Sequence, residues 1–288
     1  MYKVIIYLLN LIPRKKARKI LYFLRYKKRL NLSNPKDFNE KINWLMYYKY
    51  GKKESNLTDK FKVKDIVEKL SIKDLNIPKV LKIYQNANEI NLIDLPEQFV
   101  LKCNNGCGDV FICTDKSVFN LEIAKKKLNK NLKKDFSKEN FEFHYSDIKP
   151  CILCEEYLKD KTNINPIDYK FYCFDGKVDS LLVCSNREKK LKLNHFDTNW
   201  QQCNFVKEQY KSQEIINKPE NFNKMIEIVE QLCKKLKLDF CRVDLYNING
   251  NIYLGELTFT PAMGMIKYYN QKALNYLGSK ISIRKEGK

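Results

Sequence analysis

Arg242, Asp244, Glu256 and Thr258 fall at strand spacing within FCRVDLYNINGNIYLGELTFTP, residues 240–261. Two alternating runs rich in Val, Leu, Ile, Tyr and Thr flank Asn247-Ile248-Asn249-Gly250-Asn251, which reads as a β-hairpin. Side chains alternate along a strand, so Arg242, Asp244 and Tyr246 share one face while Cys241, Val243 and Leu245 share the other. Register decides whether the second strand joins the chemical face. A two-residue Asn249-Gly250 turn sets Asp244 opposite Gly255 and sends Glu256 to the far face. A three-residue loop over 249–251, or an equivalent bulge, sets Asp244 opposite Glu256 and Arg242 opposite Thr258. The second register is the expectation. Two carboxylates opposed at about 5 Å repel unless positive charge lies between them. A divalent cation with oxygen ligands meets that need, and Mg²⁺ suits a site where one or two carboxylates hold it and phosphates complete its shell. The competing reading is a solvated, charged outer face on which Arg242 balances one acid.

Two lysines upstream have the same character. In FVLKCNNGCGDVF, Lys102 ends a short strand and points away from Phe99, Leu101 and Cys103, and the loop 104–108 follows at once. Glycine lets backbone N–H groups approach an anion, and lysine supplies a point charge. No helix follows and no G-K-[ST] is present, so this is not a strand-to-helix phosphate loop. Taken alone it is an ordinary hairpin. In DYKFYCFDGKV, Lys170 points with Asp168 and Tyr172, ahead of an Asp175-Gly176 pair that signals a type I′ turn. Arg187, just past the returning strand, reads equally as a contact for an anionic substrate group and as a surface arginine.

Arg242-x-Asp244 followed by Glu256-x-Thr258-x-x-Pro261 resembles the metal-binding end of ATP-grasp enzymes. Reading outward, FVLKCNNGCGDVF, CILCEEYL and DYKFYCFDGKV, in that order, resemble the TupA-like ATP-grasp family found with bacterial cell-surface polysaccharide genes. The resemblance runs from about Phe38 to the C-terminus and includes Phe38-Asn39-Glu40-Lys41. It implies an α+β ATP-grasp fold, two β-rich subdomains clamping the nucleotide, with a basic helical extension at the N-terminus. The implied parts are residues 1–57 for the extension, 58–158 for the N-terminal lid subdomain and 159–288 for the C-terminal metal-binding subdomain. The implied cofactors are ATP and Mg²⁺. Lys102, Asn105, Gly106, Gly108 and Lys170 would hold phosphates, and Glu155, Glu156, Tyr157 and Leu158 the adenine. Asp244, Glu256 and Thr258 would hold Mg²⁺. Arg242 inherits the catalytic role, steadying charge on the transferring phosphoryl group and the tetrahedral adduct that follows.

The implied reaction joins a carboxylate to an amine through an acyl phosphate, on a cell-surface polysaccharide or its precursor. The carboxylate would be a glycan uronate or polymer carboxylate, and the amine an amino acid or small amine. Three positions depart from the pattern: Thr258 stands where these enzymes usually place an Asn ligand, Asp109 sets an acid beside the phosphate loop, and Cys107 replaces a small polar residue. Ala262-Met263-Gly264-Met265 is similar to the small-residue turn that closes the site in related ligases. The alternative is a catalytically weak or inactive grasp scaffold that binds membrane or glycan. A glycosyltransferase comes third, since it wants a D-x-D-like motif on a Rossmann-like sheet and neither is found.

A chain of 288 residues, 44% hydrophobic and 31% charged, is globular and long enough for a full core. The net charge of +20 is uneven: residues 1–30 carry Lys3, Arg14, Lys15, Lys16, Arg18, Lys19, Arg25, Lys27, Lys28 and Arg29 and no acid. That favours an anionic partner, membrane lipid or polyanionic glycan before nucleic acid, for which no zinc finger, RNP-like strand or helix-turn-helix is found. MYKVIIYLLNLI is too short to span a bilayer and lacks a small-residue cleavage site. Its stripe of Val4, Ile5, Leu8, Leu11 and Ile12 suits a membrane interface with anionic lipid, or equally an arm packed on its own protein. A ligase is expected to survive removal of residues 1–30. Ten cysteines at this length are not a disulfide scaffold, and Cys151-x-x-Cys154 lacks a second pair for zinc. The expected location is a reducing cytoplasm, with a peripheral place on the inner face of the membrane.

Periodicity supplies the supporting elements. Helices are expected over 35–50, over 60–70 behind a Thr58 or Asp59 cap, over 117–136, over 219–236 beneath the metal hairpin, and at the end to about Leu277. Strands are expected over 80–84, 99–103, 110–113 and 148–158, with a hairpin over 169–178 and 180–185. His144 and His195 have no neighbouring ligand set.

Overall fold

The computed structural model describes residues 2–106, 110–159, 167–185 and 192–283. Cys107, Gly108, Asp109 and Arg187 lie outside them. The chain opens with five helices, α1 (Tyr2–Leu9), α2 (Arg14–Tyr26), α3 (Phe38–Tyr48), α4 (Lys52–Thr58) and α5 (Lys62–Glu68). Strands β1 (Leu75–Asn76), β2 (Val80–Tyr84), β3 (Phe99–Cys103) and β4 (Val110–Cys113) lead to α6 (Leu121–Leu132), α7 (Phe136–Glu139) and β5 (Ile152–Glu156). Then come β6 (Asp168–Phe174), β7 (Lys177–Ser185), β8 (Lys192–Asp197), α8 (Phe222–Lys235), β9 (Phe240–Ile248), β10 (Asn251–Thr258) and α9 (Gln271–Ser279).

The strands form two sheets, one of six in the order β1-β10-β9-β6-β7-β8 and one of four in the order β2-β5-β3-β4. Strand alternation gives the large sheet an apolar face, on which Phe171, Val243, Leu245 and Leu257 meet Phe222, Met225, Val229 and Leu232 of α8. This is the place expected for that helix. Val63 and Val67 of α5 join the same core and β1 pairs parallel with β10, so the segment from α5 to β1 packs on the large sheet. The other face is divided. At one end Tyr172, Phe174 and Phe240 are covered by Phe38 and Ile42 of α3 and Leu274 and Leu277 of α9. At the other end lie the charged residues of the site. The small sheet buries Phe99, Leu101 and Cys154 against Ala124 and Leu128 of α6.

Several boundaries move for identifiable reasons. The helix expected over 35–50 starts at Phe38, because Asp37 accepts the N–H of Glu40 at 3.0 Å, and a separate α4 follows it. Asp59 accepts the N–H groups of Phe61 and Lys62 at 2.9 and 3.4 Å, which starts the next helix late and leaves Lys60 ahead of it. Asn120 caps α6 through the N–H of Ile123 at 2.9 Å, shortening the helix expected over 117–136. The strand expected over 148–158 contracts to β5 and leaves Tyr157 and Leu158 beyond it. Strand β8 escaped the reading because it buries Leu193, Asn194, His195 and Phe196 in succession, without alternation.

The N-terminal arm is packed on one side. Ile6 and Leu9 of α1 meet Ala17 and Leu21 of α2 and Phe141. Arg18 is fully buried and donates to Asn43 Oδ1 at 2.6 Å, to the Asn140 carbonyl at 2.6 Å and to the Met263 carbonyl. This packing counts against the expectation that a ligase survives removal of residues 1–30. Among the described residues no helix is long and apolar enough to cross a membrane.

Candidate active site

Strands β9 and β10 meet in a two-residue turn, Asn249-Gly250, with φ of 51° and 84°. The tight turn forms instead of the three-residue loop, yet the chemical register arises through a bulge at Gly255. Leu254 pairs with Leu245, then Glu256 pairs with Asp244 and Thr258 with Arg242. A β-carbon at Gly255 would stand 3.0 Å from the Asp244 carbonyl oxygen and 3.1 Å from the Tyr246 ring, which is why the bulge carries glycine. On the other side of β9, Lys170 of β6 lies opposite Asp244 and Tyr172 opposite Arg242. Lys170, Asp244 and Glu256 thus make one row across three strands, and Tyr172, Arg242 and Thr258 make the next.

The guanidinium of Arg242 donates from Nε and Nη2 to the two oxygens of Asp244 at 2.6 and 2.7 Å. Nη2 also reaches Glu256 Oε1 at 3.2 Å and Thr258 Oγ1 at 3.0 Å. Lys170 pairs with Asp168 at 2.7 Å and with Asp244. Lys60 reaches Glu256 Oε2 at 3.1 Å and donates to the Gly106 carbonyl at 2.7 Å. On the small sheet, Lys102 and Lys64 both pair with Glu155, at 2.6 and 2.9 Å. Burial alone would raise the pKa of Glu256, but Lys60, Lys170 and Arg242 hold it well below the usual carboxylate range. Burial opposes ionisation of Glu155 too, and Lys102 and Lys64 reverse it. Burial works against the charge of Arg242, and Asp244 and Glu256 outweigh it, keeping the pKa well above the ordinary arginine value.

A cleft of about 280 Å³ opens between the sheets. Its lining brings together Lys102, Asn105, Gly106, Lys170, Arg242, Asp244 and Glu256, all singled out from the sequence. At Gly106 a β-carbon would lie 2.5 Å from the Phe136 ring, so the loop needs glycine there. The loop is anchored by Asn104, which donates to Asp59 at 2.9 Å and accepts the N–H of Cys151 at 2.8 Å. Thr258, expected as a third metal ligand, accepts from Arg242 and donates to Glu256 at 3.0 Å. Glu155, Glu156, Tyr157 and Leu158 do not line the cleft. Glu155 is the counter-ion of Lys102, and Glu156 accepts the N–H of Lys79 at 2.8 Å. An adenine role for these four residues is carried by the resemblance alone.

Sequence reasoning missed Lys60, Lys64 and the carboxylate of Asp168. Asp168 had a signal, standing two positions before Lys170 on the same strand face. Lys60 lies in the turn ahead of α5 and Lys64 in its first turn, in a stretch so rich in lysine that neither stands out. Cys151 and Cys154 are buried, and no group of three or more His, Cys, Asp or Glu side chains able to hold a metal occurs among the described residues. His144 and His195 are buried too, and burial pushes their pKa down to about 3. The donor set for a cation is the opposed pair Asp244 and Glu256. Two hard oxygen donors with room for phosphates fit Mg²⁺ and do not fit a metal that requires an all-protein cage.

Two sheets facing each other across a cleft that cations line from both sides, with a hairpin of opposed acids on the larger sheet, form the α+β ATP-grasp fold. The TupA-like ATPgrasp family model matches residues 40–282, and the chain belongs to that family. Among solved structures it is similar to the L-amino acid ligase from Bacillus licheniformis, at 16% identity over 88% of this chain and 56% of that one, with a TM-score of 0.50. D-alanine–D-alanine ligase from Bacillus anthracis matches at 18% identity over 85% of this chain and 69% of that one, TM-score 0.47. The enzyme of the same name from Helicobacter pylori matches at 15% over 85% and 69%, TM-score 0.45. At such identities the likeness is one of fold. The chain spans 56% to 69% of the lengths of these three. No curated protein matches the sequence.

Proposed function

We propose that this protein is an ATP- and Mg²⁺-dependent carboxylate–amine ligase that works through an acyl phosphate on a cell-surface polysaccharide or its precursor. The observation that carries this reading is the cleft in which Lys60, Lys170 and Arg242 pair with Asp244 and Glu256, and which Lys102 lines from the small sheet. ATP is a substrate here. A carboxylate oxygen attacks the γ-phosphorus as the bond to ADP breaks. The amine nitrogen then attacks the acyl carbon and loses a proton, and phosphate departs. Such transfers ask for positioning and electrostatics and need no side-chain nucleophile.

Lys60, Lys102 and Lys170 supply fixed positive charge for phosphate oxygens, and Gly106 lets the loop backbone come close. Arg242, ionised at any working pH and held in one orientation by both oxygens of Asp244, faces the charge that builds on the phosphoryl group and the tetrahedral adduct. Asp244 and Glu256 would hold Mg²⁺, which when bound neutralises phosphate charge. The choice of a glycan carboxylate rests on the family resemblance.

One observation favours a grasp scaffold that binds without turnover: Arg242, Lys170 and Lys60 already compensate Asp244 and Glu256. Calorimetric titration of ATP, with and without Mg²⁺, separates the two. Mg²⁺-dependent binding that disappears in a folded Asp244→Asn, Glu256→Gln variant supports the ligase and justifies screening acids and amines for ADP release. Folded wild type that takes up no ATP refutes it.

A further inference from the structure

We propose that the N-terminal helices dock this protein on an anionic lipid surface, through an apolar face that the fold leaves uncovered. Helix α1 turns Ile6 and Leu9 inward and leaves Val4, Tyr7 and Leu8 60%, 67% and 55% exposed. With Leu11, 68% exposed in the turn that follows, these positions fall on one helical face. Helix α2 repeats the division. Ala17, Arg18, Leu21 and Tyr22 face the protein, while Ile20, Phe23 and Leu24 are exposed on the other side. Lys16, one helical turn before Ile20, and Lys27, one turn after Phe23, are both exposed and close the ends of that stripe.

Charge complementarity selects the occupant. Residues 1–30 carry ten Lys or Arg and no acid. A second copy would bring the same positive charge against itself. A polyanionic glycan or nucleic acid would engage the lysines and leave Val4, Tyr7, Leu8 and Leu11 in water. A bilayer with acidic headgroups satisfies both sets: the apolar side chains enter the acyl boundary while the lysine heads stay among the phosphates. At eight and thirteen residues, α1 and α2 lie in the interface and do not span it. Docking of this kind is independent of the chemistry in the cleft and holds whether or not ATP is turned over.

Co-flotation of the full chain with vesicles of phosphatidylcholine, alone or mixed with phosphatidylglycerol, tests the proposal. The chain is expected to float with the mixed vesicles only. A Leu8→Ser, Leu11→Ser, Phe23→Ser variant, altered at exposed positions and checked by thermal melting, is expected to stay soluble. Lys16→Gln is expected to lower partition about fivefold, the effect of one basic charge at an anionic surface. No flotation with mixed vesicles overturns the proposal. So does flotation that the serine variant leaves unchanged, which marks charge attraction without insertion. A wild-type dimer that dissociates in the serine variant also overturns it, by assigning the face to contact between copies.

Discussion

Arg18→Met is expected to destabilise the protein by about 3 kcal/mol, although Arg18 belongs to the N-terminal arm and touches nothing in the cleft. The side chain is fully buried, and its donors serve Asn43 Oδ1 and the carbonyls of Asn140 and Met263. Methionine fills the space and leaves one buried and two part-buried acceptors without a donor, at about 1–3 kcal/mol each, or about 6 kcal/mol together. Losing the charge returns part of this. Burial pulls the pKa of Arg18 from 12.5 down to about 10 despite the nearby Glu142. A depression of that size corresponds to about 3 kcal/mol of unfavourable charge burial, which the variant no longer bears. What remains is about 3 kcal/mol, or a Tm lower by about 5 °C for a chain of 288 residues.

The loss concentrates in one turn. Ala262, Met263 and Gly264 all have left-handed backbone, with φ of 47°, 59° and 61°. Arg18 holds the carbonyl of Met263, and Asn43 donates to the carbonyl of Gly264 at 2.8 Å. Such backbone persists only while its surroundings over-determine it. Urea melts followed by circular dichroism measure the stability, and MgATP titration reads the effect on the cleft. Arg18→Lys is expected to behave like the methionine variant, because one ammonium cannot serve three acceptors set around a planar fork. An Arg18→Met chain within about 1 kcal/mol of wild type, beyond the usual error of such comparisons, would show that the three carbonyl-type acceptors find other donors and that the reasoning is wrong. By the same argument, deleting residues 1–30 is expected to unfold the chain, so docking on lipid has to be tested with surface substitutions.

Asp244→Asn leaves Arg242 and Lys170 without their shared carboxylate and is expected to cost about 3–5 kcal/mol in urea unfolding. Gly255→Ala places a methyl group against the Asp244 carbonyl and is expected to cost about 1–3 kcal/mol, with faster hydrogen exchange in β10 and weaker Mg²⁺-dependent ATP binding. His144 and His195 set an acid limit. Their folded pKa of about 3 lies below the unfolded value, so the unfolded chain takes up protons that the folded chain refuses. The stability is fully present above about pH 6.5 and falls as pH drops towards 3, by about 1.4 kcal/mol per pH unit for each histidine. Urea midpoints of wild type and His144→Phe, compared over that range, are expected to differ in slope by one histidine's share.

The strands that carry the site were legible because each alternates between an apolar face and a second face on which its charged residues lie. Lys170, Arg242 and Asp244 project where period-two reading places them, and the hairpin at Asp175-Gly176 forms with φ of 47° and 73°. The register between β9 and β10 was legible only in outcome. A tight turn and a bulge together give the same pairing as a longer loop, and the glycine that decides it, Gly255, is a mid-strand bulge signal that does not by itself tell one route to the register from the other. The partners of Lys102 were not legible at all. Glu155 was assigned to adenine by resemblance, whereas the pairing of β3 with β5 sets Val100 opposite Glu155 and brings the Lys102 ammonium onto that carboxylate. Lys60 needed tertiary contact as well, since only the placement of α5 against the large sheet brings it to Glu256.

On the proposed ligase reading, the charges of the cleft account for a dependence of nucleotide binding on a divalent cation. Lys60, Lys102, Lys170 and Arg242 line it, and so do Asp168, Asp244 and Glu256. Four cations held between two sheets without those acids would repel one another at low dielectric and oppose folding. The carboxylates therefore let the site form before any anion arrives, and Arg242 and Lys170 owe their fixed positions to them. The same acids leave a surplus of a single positive charge along the lining, less than a nucleoside triphosphate carries in negative charge. An incoming triphosphate meets Asp244 and Glu256 as well as the lysines, and their repulsion cancels most of the attraction. On that reading, additional positive charge between those two acids would remove the repulsion without dismantling the ion pairs that hold Arg242 in line, and the opposed pair across the β9–β10 bulge is the carboxylate oxygen that would receive it.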